Sequence, residues 1–300
     1  MSAPKWPLSA APAELPPPCR ETELMSLPSI HRPAVLIVSA TLREARERRQ
    51  IGLRRFAHQI GMSPARLSGL ERATHIPHPA DVAHILGFFG IAGAEYEQVM
   101  KAAKHVYDAN FIAQHDAQAF SLTWTYEQVS DRIVEWAPSY LPDLLRPHQH
   151  FERAPGGDDK TLCRSELDPL EWSVRQQTMQ EGLRRYIFLI GEDAVRTTTD
   201  EVGADEQIHR LRTVAGLPHV IVRIVPKTAI GLYPPPAFTL FEARRSPVTV
   251  TFKHVHCTAY MTEKSLLDEY LGTAKALQRR ALSESATVDA LNGSRWGRAS

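Results

Sequence analysis

A short pattern around Gly61 constrains this 300-residue sequence more than any other feature. It begins with an apolar helical face at positions i, i+3, i+4 and i+7, which comprises Leu53, Phe56, Ala57 and Ile60. Gly61 follows, where a helix end favours a residue that can adopt a left-handed conformation. Ser63 is a good N-cap, and Pro64 suits the first turn of a new helix whose inner face carries Leu67 and Leu70. A helix, a glycine turn and a capped second helix together predict a helix-turn-helix.

The charge of the same segment favours a nucleic-acid partner. Between Thr41 and Arg72 there are eight arginines and three glutamates, although the net charge of the whole chain is only +1. Clustered arginines are typical of surfaces that contact phosphates. A small helical bundle with a solvated arginine face would show the same charge. The charge therefore indicates double-stranded DNA only in combination with the helix-turn-helix pattern.

These residues resemble the Xre-type, phage-repressor-like family of helix-turn-helix regulators. The resemblance extends from Leu42 to Ile91, and the matching positions are Leu53–Ala57, Ile60–Ser63, Leu67, Ser68 and Leu70–Arg72. It implies a bundle of about five helices. It also implies a structural ion pair between the first helix and the end of the recognition helix, at the positions that Arg46 and Glu71 hold here.

By the same resemblance, the recognition helix covers residues 63–72 and enters the major groove. Leu53 and Pro64 stand where many family members carry glutamines that contact DNA, so other positions must read the bases. The residues expected to contact DNA are Arg54, Arg55, Ser63, Ala65, Arg66, Ser68, Gly69 and Arg72. Arg66 is the best candidate for a bidentate contact with guanine, whereas Arg54, Arg55 and Ser63 suit phosphates. An alternative is that the fold persists with DNA binding lost.

The composition along the chain predicts five segments. They are a disordered proline-rich tail over 1–34, a helix-turn-helix domain over 35–110, a linker over 111–123, a mixed α+β domain over 124–283 and a loose tail over 284–300. The fold class is thus an N-terminal all-α bundle followed by a C-terminal mixed α+β domain. Predicted strands are Tyr186–Ile190, Val220–Val225, Phe238–Phe241 and Val248–Phe252. Predicted helices include Tyr126–Ala137, Glu166–Glu181, Asp205–Ala215 and Lys264–Leu282.

A second resemblance concerns the C-terminal half. Trp136–Ala154 is similar to a motif that follows the helix-turn-helix in the WhiJ-like group of actinobacterial regulators, although Asp143 and Arg146 replace its usual glycine and glutamine. Further matches are Arg175, Gln176, Phe188–Ala194, Gln207–Leu211, Val220–Pro226 and Phe238–Phe241. The second domain of that group has no known function. The resemblance therefore implies an architecture, and a small partner protein encoded nearby, but no chemistry.

A mixed α+β domain beside a DNA-binding bundle most often senses a ligand or docks a protein. The proline-rich loop from Tyr233 to Phe238 and the acidic Asp193 suggest a ligand pocket. The same loop would equally serve as a simple connection between strands.

The sequence offers little support for an enzyme or a metal site. His254 and His256 would share one strand face, as His148 and His150 would, but no third ligand has a suitable spacing. Cys19, Cys163 and Cys257 are far apart, which argues against a disulfide framework or a zinc site. There is no phosphate-binding glycine loop, nucleophile elbow or HExxH motif. We therefore expect no catalytic activity, no cofactor and no metal.

The N-terminal segment does not resemble a signal peptide, and no apolar stretch near it approaches the length of a bilayer span. The prediction is a cytoplasmic protein without a membrane partner. We also predict a sequence-specific transcriptional regulator of DNA. It is expected to bind as a homodimer, because one short recognition helix reads too few bases to be selective. The alternative is a protein-interaction module in a toxin–antitoxin-like pair with a small partner protein.

Overall fold

The computed structural model describes residues 32–114, 117–147, 169–199, 204–231, 234–244, 246–254 and 257–292. Several predicted features lie outside these ranges. They are the tail up to residue 31, the cysteines Cys19 and Cys163, the histidines His148, His150 and His256, Tyr233, and residues 293–300.

Five helices form the N-terminal part, as predicted. They are α1 Pro33–Arg48, α2 Leu53–Gln59, α3 Pro64–Glu71, α4 Pro79–Phe89 and α5 Gly93–Lys104. Their core contains the apolar positions of the helix-turn-helix pattern, since Phe56, Ala57, Leu67 and Leu70 are all buried. The predicted all-α bundle is confirmed.

The first half of α1 is buried on every side. Pro33 to Ser39 are all buried, although the segment carries no amphipathic pattern. The reason is that α1 contacts α3, α4 and α5 on one side, and α6 and strand β1 of the C-terminal part on the other. Pro33 at the first helical position starts the helix inside the predicted tail. A helix that is apolar all round is typical of a buried core position.

The C-terminal part is built on a mixed seven-stranded sheet, which confirms the predicted α+β class. Its strands are β1 Asn110–Gln114, β2 Arg132–Ala137, β3 Arg185–Gly191, β4 Val220–Val225, β5 Phe238–Ala243, β6 Ser246–Lys253 and β7 Cys257–Met261. The strand order is β1-β7-β6-β5-β2-β3-β4. Strands β2, β3 and β4 are parallel, and the other neighbours are antiparallel.

Helices cover both faces of this sheet. They are α6 Ala117–Val129, α7 Pro169–Gln180, α8 Glu192–Thr199, α9 Ala204–Ala215, α10 Lys227–Ile230, α11 Lys264–Arg280 and α12 Glu284–Asn292, with a short 3₁₀ turn at Asp143–Leu145. On one face α11 packs against Trp136 and Leu240. On the other face Tyr126, Phe188 and Tyr260 belong to the same apolar cluster as the helix-turn-helix core. The two parts of the chain therefore share one core.

Three segments differ from the sequence-based predictions. The predicted helix Tyr126–Ala137 is instead the end of α6 followed by β2, whose mostly apolar residues hide the two-residue alternation. The predicted linker 111–123 contains β1 and the start of α6, because β1 pairs with β7, which is remote in sequence. The predicted loose tail contains α12, which buries Thr287, Ala290 and Leu291 at helical spacing. The four predicted strands all occur, within β3 to β6.

Candidate DNA-binding surface

The turn between α2 and α3 has the geometry that a helix-turn-helix needs. Gly61 has a φ of +65°, a left-handed conformation that is costly for residues with a Cβ atom. The Met62 amide then donates to the Ala57 carbonyl at 2.9 Å. Ser63 caps α3, since its side-chain oxygen accepts a hydrogen bond from the Arg66 amide at 3.2 Å. These contacts set the direction in which α3 leaves the turn.

The helix α3 presents one face to the core and the other to solvent. Leu67 and Leu70 are buried against the rest of the bundle, whereas Ala65 and Arg66 are exposed and Ser68 is half-buried. Ser63 is also exposed. The exposed side of α3 is therefore small and polar, with one arginine near its beginning.

Arg46 of α1 and Glu71 at the end of α3 form a bidentate ion pair. Arg46 Nε donates to Glu71 Oε1 at 2.7 Å, and Nη2 donates to Oε2 at 2.8 Å. Arg46 Nη1 also donates to the Ile51 carbonyl at 3.0 Å. The side chains are 13% and 3% exposed, and the hydrogen bond to Glu71 raises the pKa of Arg46. The pair thus joins the first helix to the recognition helix across the bundle.

Gly69 has a structural position on the inner side of α3. A Cβ atom there would lie 1.8 Å from Nδ1 of His75, so any other residue would require that ring to move. The Gly69 carbonyl also accepts the amides of Thr74 and His75 at 2.9 and 3.2 Å. Gly69 was expected on the DNA-contacting side, but it is buried and offers no exposed side chain there. Its place follows from the chain reversal after α3, which the sequence pattern did not reveal.

Arg66 does not extend freely into solvent. Its Nη2 lies 2.6 Å from Oδ2 of Asp81 in the first turn of α4. Sequence reasoning missed Asp81, because α4 comes beside α3 only in the folded bundle. The one sequence signal was an acidic residue in the first turn of the helix that follows the recognition helix.

The remaining arginines divide into paired and unpaired groups. On α1, Arg43 pairs with Glu47 and Arg48 pairs with Glu44, each four residues apart. Within the described ranges, the exposed Arg54 and Arg55 make no hydrogen bond or ion pair. Arg72 is exposed and makes only a long 3.4 Å contact from Nε to the Ser68 carbonyl. Arg54 and Arg55, which were expected at phosphates, and Arg72, which was expected to contact DNA at the end of α3, thus have no carboxylate partner among the described residues.

The residues of the predicted ligand pocket have other partners. Asp193 lies in the first turn of α8 at the surface, where Lys227 Nζ and Arg196 Nη2 lie 3.0 and 2.8 Å from its oxygens. Phe238 is buried in the α11 side of the core, and its ring centroid lies 5.0 Å from that of Tyr270. A pocket at Asp193, Tyr233 and Phe238 stays a prediction.

The histidine that directly follows β6 lies at the surface. His254 is exposed, and its backbone amide donates to the Cys257 carbonyl at 2.8 Å. Within the described ranges, no group of three or more His, Cys, Asp or Glu side chains is placed to hold a metal ion.

Two family models match the chain. A helix-turn-helix domain matches residues 37–99. A domain of unknown function (DUF5753) matches residues 120–293, which is more than half of the chain. The chain belongs to the DUF5753 family. No curated protein and no solved structure matches it.

The DUF5753 region begins within α6 and extends past α12, so it includes the helix that sequence reasoning had placed in a loose tail. The helix-turn-helix match contains α2, α3 and α4 with the capped turn described above. It indicates that this DUF5753 protein is a DNA-binding regulator. No helix in the described ranges is long and apolar enough to cross a membrane.

Proposed function

We propose that this protein is a sequence-specific transcriptional regulator of the Xre type, which inserts α3 into the major groove of DNA. The observation that carries the proposal is the exposed face of α3, presented by a capped glycine turn and anchored from behind by the Arg46–Glu71 pair. A helix held this way loses little conformational freedom when it binds, which favours defined contacts.

The side chains around α3 suggest a division of roles. Arg66 reads a guanine after it leaves Asp81, since a guanidinium can make two parallel hydrogen bonds to that base. Arg54, Arg55, Ser63 and Arg72 contact phosphates. Because Ala65 and Ser68 add only small groups to the face, shape and flexibility of the DNA contribute to selectivity.

The protein acts as a homodimer in this proposal, and β1 offers a suitable interface. This strand ends the sheet, and none of its five residues is charged. Its Ile112 side chain is 65% exposed. Uncharged edge strands tend to pair with another strand, and antiparallel pairing with a second copy creates a two-fold axis. Sedimentation of the wild-type protein and Ile112→Lys tests this, since the variant should lose the dimer at micromolar concentration. A wild-type monomer, on and off DNA, would refute it.

The C-terminal domain is a sensor in this proposal. The buried helix α1 packs against α3 on one side and against α6 on the other, so a change in the C-terminal domain reaches the recognition helix through packed residues. By the WhiJ-like resemblance, the same domain docks a small partner protein, which would act through the same helix.

The proposed function is tested by selecting genomic DNA fragments with the purified full chain. Arg66→Ala is the test variant and Arg196→Ala is its matched control, since both arginines are paired with an aspartate and are 57% and 56% exposed. Wild type and Arg196→Ala should enrich the same short inverted repeat, and Arg66→Ala should lose preference at one base position in each half. No enrichment with the wild type, or equal enrichment with Arg66→Ala, would contradict the proposed role of α3.

A further inference from the structure

A row of polar side chains crosses the sheet on the face covered by α6 and α7. Glu135 of the central strand β2 pairs in register with Thr239 of β5, and Thr239 pairs with Thr251 of β6. The next residue in the row is Tyr260 of β7, whose hydroxyl lies 2.6 Å from that of Thr123 on α6. Central strands buried on both faces are usually apolar at such positions. A carboxylate and two hydroxyls here need an explanation.

This polar row forms the floor of a cavity. Its walls come from α6, α7 and the 3₁₀ turn, and its lining residues are Thr123, Glu135, Asp143, Leu144, Arg175, Thr239, Phe241, Thr251, Lys253 and Thr258. The space measures about 350 Å³ when the part open to solvent is included. Within this space there is room for about one water-sized group.

The charged groups around the cavity are unequally matched. Arg175 Nε donates to Glu127 Oε1 at 2.9 Å, and Lys253 Nζ lies 2.9 Å from Asp143 Oδ2. Both cations are thus committed to a carboxylate. Glu135 makes no hydrogen bond or ion pair with any described residue. The lining therefore holds two carboxylates and two cations, but Arg175 is paired with Glu127 outside the lining, so no cation is paired with Glu135 among the described residues.

A second acceptor nearby also lacks a partner. Glu127 is 1% exposed, and its Oε2 makes no hydrogen bond to any described residue. A buried carboxylate oxygen without a donor is costly, so native proteins seldom leave one unmatched. Burial also raises the pKa of Glu135 from 4.5 to about 7, an effect that nearby Lys253 opposes and Asp143 reinforces. The carboxylate of Glu135 therefore faces the cavity without a hydrogen-bond donor from the described residues.

We propose that this cavity binds a small organic cation, a primary ammonium group on a short chain that carries a hydroxyl. The ammonium group occupies the room for one water-sized group and donates to Glu135, and the hydroxyl contacts the threonines, which can donate and accept. The rest of the ligand extends toward the opening. This inference rests on the proposed function in one respect, because it names the ligand class that the C-terminal domain senses.

The arrangement favours an ammonium group over a metal ion. Metal ions with oxygen ligands need several carboxylates or carbonyls converging at short distance. Among the described residues, Glu127, Glu135 and Asp143 are not grouped in that way. Glu127 and Asp143 already bind cationic side chains, which leaves Glu135 as the carboxylate of the three that has no cationic partner among the described residues.

The cavity also has a physical connection to the recognition helix. Thr123 and Glu127 lie on α6, which packs against α1. The last turn of α1 carries Arg46, the partner of Glu71 on α3. A ligand that draws α6 closer to the sheet would therefore act on α1, and through it on the DNA-binding face.

Isothermal titration of the purified full chain at pH 8 tests the proposal, with ethanolamine as the probe and ethylene glycol as its neutral counterpart. Ethanolamine should bind at one site per chain and ethylene glycol should not. Glu135→Gln keeps the shape of the side chain and removes its charge, so it should weaken ethanolamine binding about tenfold or more. Glu206→Gln, an exposed position on α9, is the matched control and should bind like the wild type.

A second measurement needs no variant. Ethanolamine binding to the wild type should strengthen as pH rises from 6 to 8, because Glu135 ionises in that range while a primary amine stays protonated. The other charged groups that face Glu135 are Glu127, Asp143, Arg175 and Lys253. Potassium chloride and ammonium chloride in place of ethanolamine show whether charge alone suffices. The proposal would be overturned if ethylene glycol or potassium bound to the wild type as tightly as ethanolamine. It would also be overturned if the Glu135→Gln variant bound ethanolamine as tightly as the wild type.

The test is independent of DNA binding. If ethanolamine binds as expected but no DNA is selected, the cavity assignment stands and the proposed regulatory function fails. If an inverted repeat is selected but ethanolamine does not bind, the regulator stands and the cavity assignment fails.

Discussion

Arg66 of the recognition helix is held by Asp81 of α4, with 2.6 Å between Nη2 and Oδ2. The two side chains are 57% and 21% exposed, so water screens much of their attraction. Ion pairs of this kind contribute about 0–1 kcal/mol. Asp81 therefore holds Arg66 only weakly, and in the proposed complex DNA would replace Asp81 at little cost.

Removing Asp81 should strengthen DNA binding. Asp81→Asn abolishes the competing ion pair and one negative charge, so affinity should rise by about two- to fivefold, with a larger relative gain for nonselected duplexes. Fluorescence anisotropy with a selected and a scrambled duplex measures both. Glu97→Gln removes a charge from an exposed position on α5 and serves as the control. Weaker binding by Asp81→Asn would show that Asp81 orients Arg66 productively.

Breaking the Arg46–Glu71 pair should destabilise the protein strongly. Arg46→Ala leaves Glu71 buried without its partner, which should lower the free energy of unfolding by about 3–5 kcal/mol. Arg43→Ala removes an arginine from an exposed pair on the same helix and should cost about 0–1 kcal/mol. Urea unfolding followed by circular dichroism compares them. Equal losses of stability in the two variants would mean that burying Glu71 does not require its ion pair with Arg46.

The close approach of Gly69 and His75 predicts a non-additive pair of substitutions. Gly69→Ala alone should destabilise, because the new methyl group displaces the His75 ring. In a His75→Ala background the same change should stabilise by about 0.5–1 kcal/mol, as glycine-to-alanine changes in helices usually do. A double-mutant cycle from thermal unfolding gives the coupling. Additive effects would show that the ring moves aside freely.

Arg54 and Arg55 should contribute to DNA affinity through phosphates only. Each single alanine variant should weaken selected and scrambled duplexes to the same degree, and should reduce the dependence of log Kd on log salt by about one unit. Binding measured at several salt concentrations tests this, with Arg196→Ala as the control on α8. A loss confined to the selected duplex would place that arginine at a base instead.

The raised pKa of Glu135 predicts a pH-dependent stability. Its pKa is 4.5 in ordinary surroundings and about 7 in the folded protein, so the folded state holds the proton more tightly. The stabilisation that this tighter proton binding adds to the free energy of unfolding is complete below pH 4.5 and is lost as pH rises through 7. Glu135→Gln should therefore match the wild type near pH 4 and exceed it by about 1–3 kcal/mol at pH 8. Denaturant unfolding without added amines tests this, and parallel curves across that range would contradict it.

Local sequence patterns were sufficient for the helix-turn-helix. The apolar spacing of α2, the glycine after it and the serine cap of α3 act within a few residues of each other, so each carries its structural meaning in the sequence. The four predicted strands were equally legible, because their β-branched and aromatic residues form short runs between turns. The same periodicity placed Ala65 and Arg66 correctly on the exposed side of α3, but it also placed Gly69 there, which the structure buries.

Long-range packing decided the rest. Asp81 reaches Arg66, and β1 reaches β7, only after the chain has folded, and no local pattern records such pairings. The sequence suggested two domains on a linker, whereas the structure buries α1 between them in one shared core. The sheet register likewise brought Glu135 beside Thr239 and Thr251, and put Arg175 and Lys253 around it. Residues far apart in sequence acquire a common environment only through tertiary structure, so the polar cavity has no signature in the sequence.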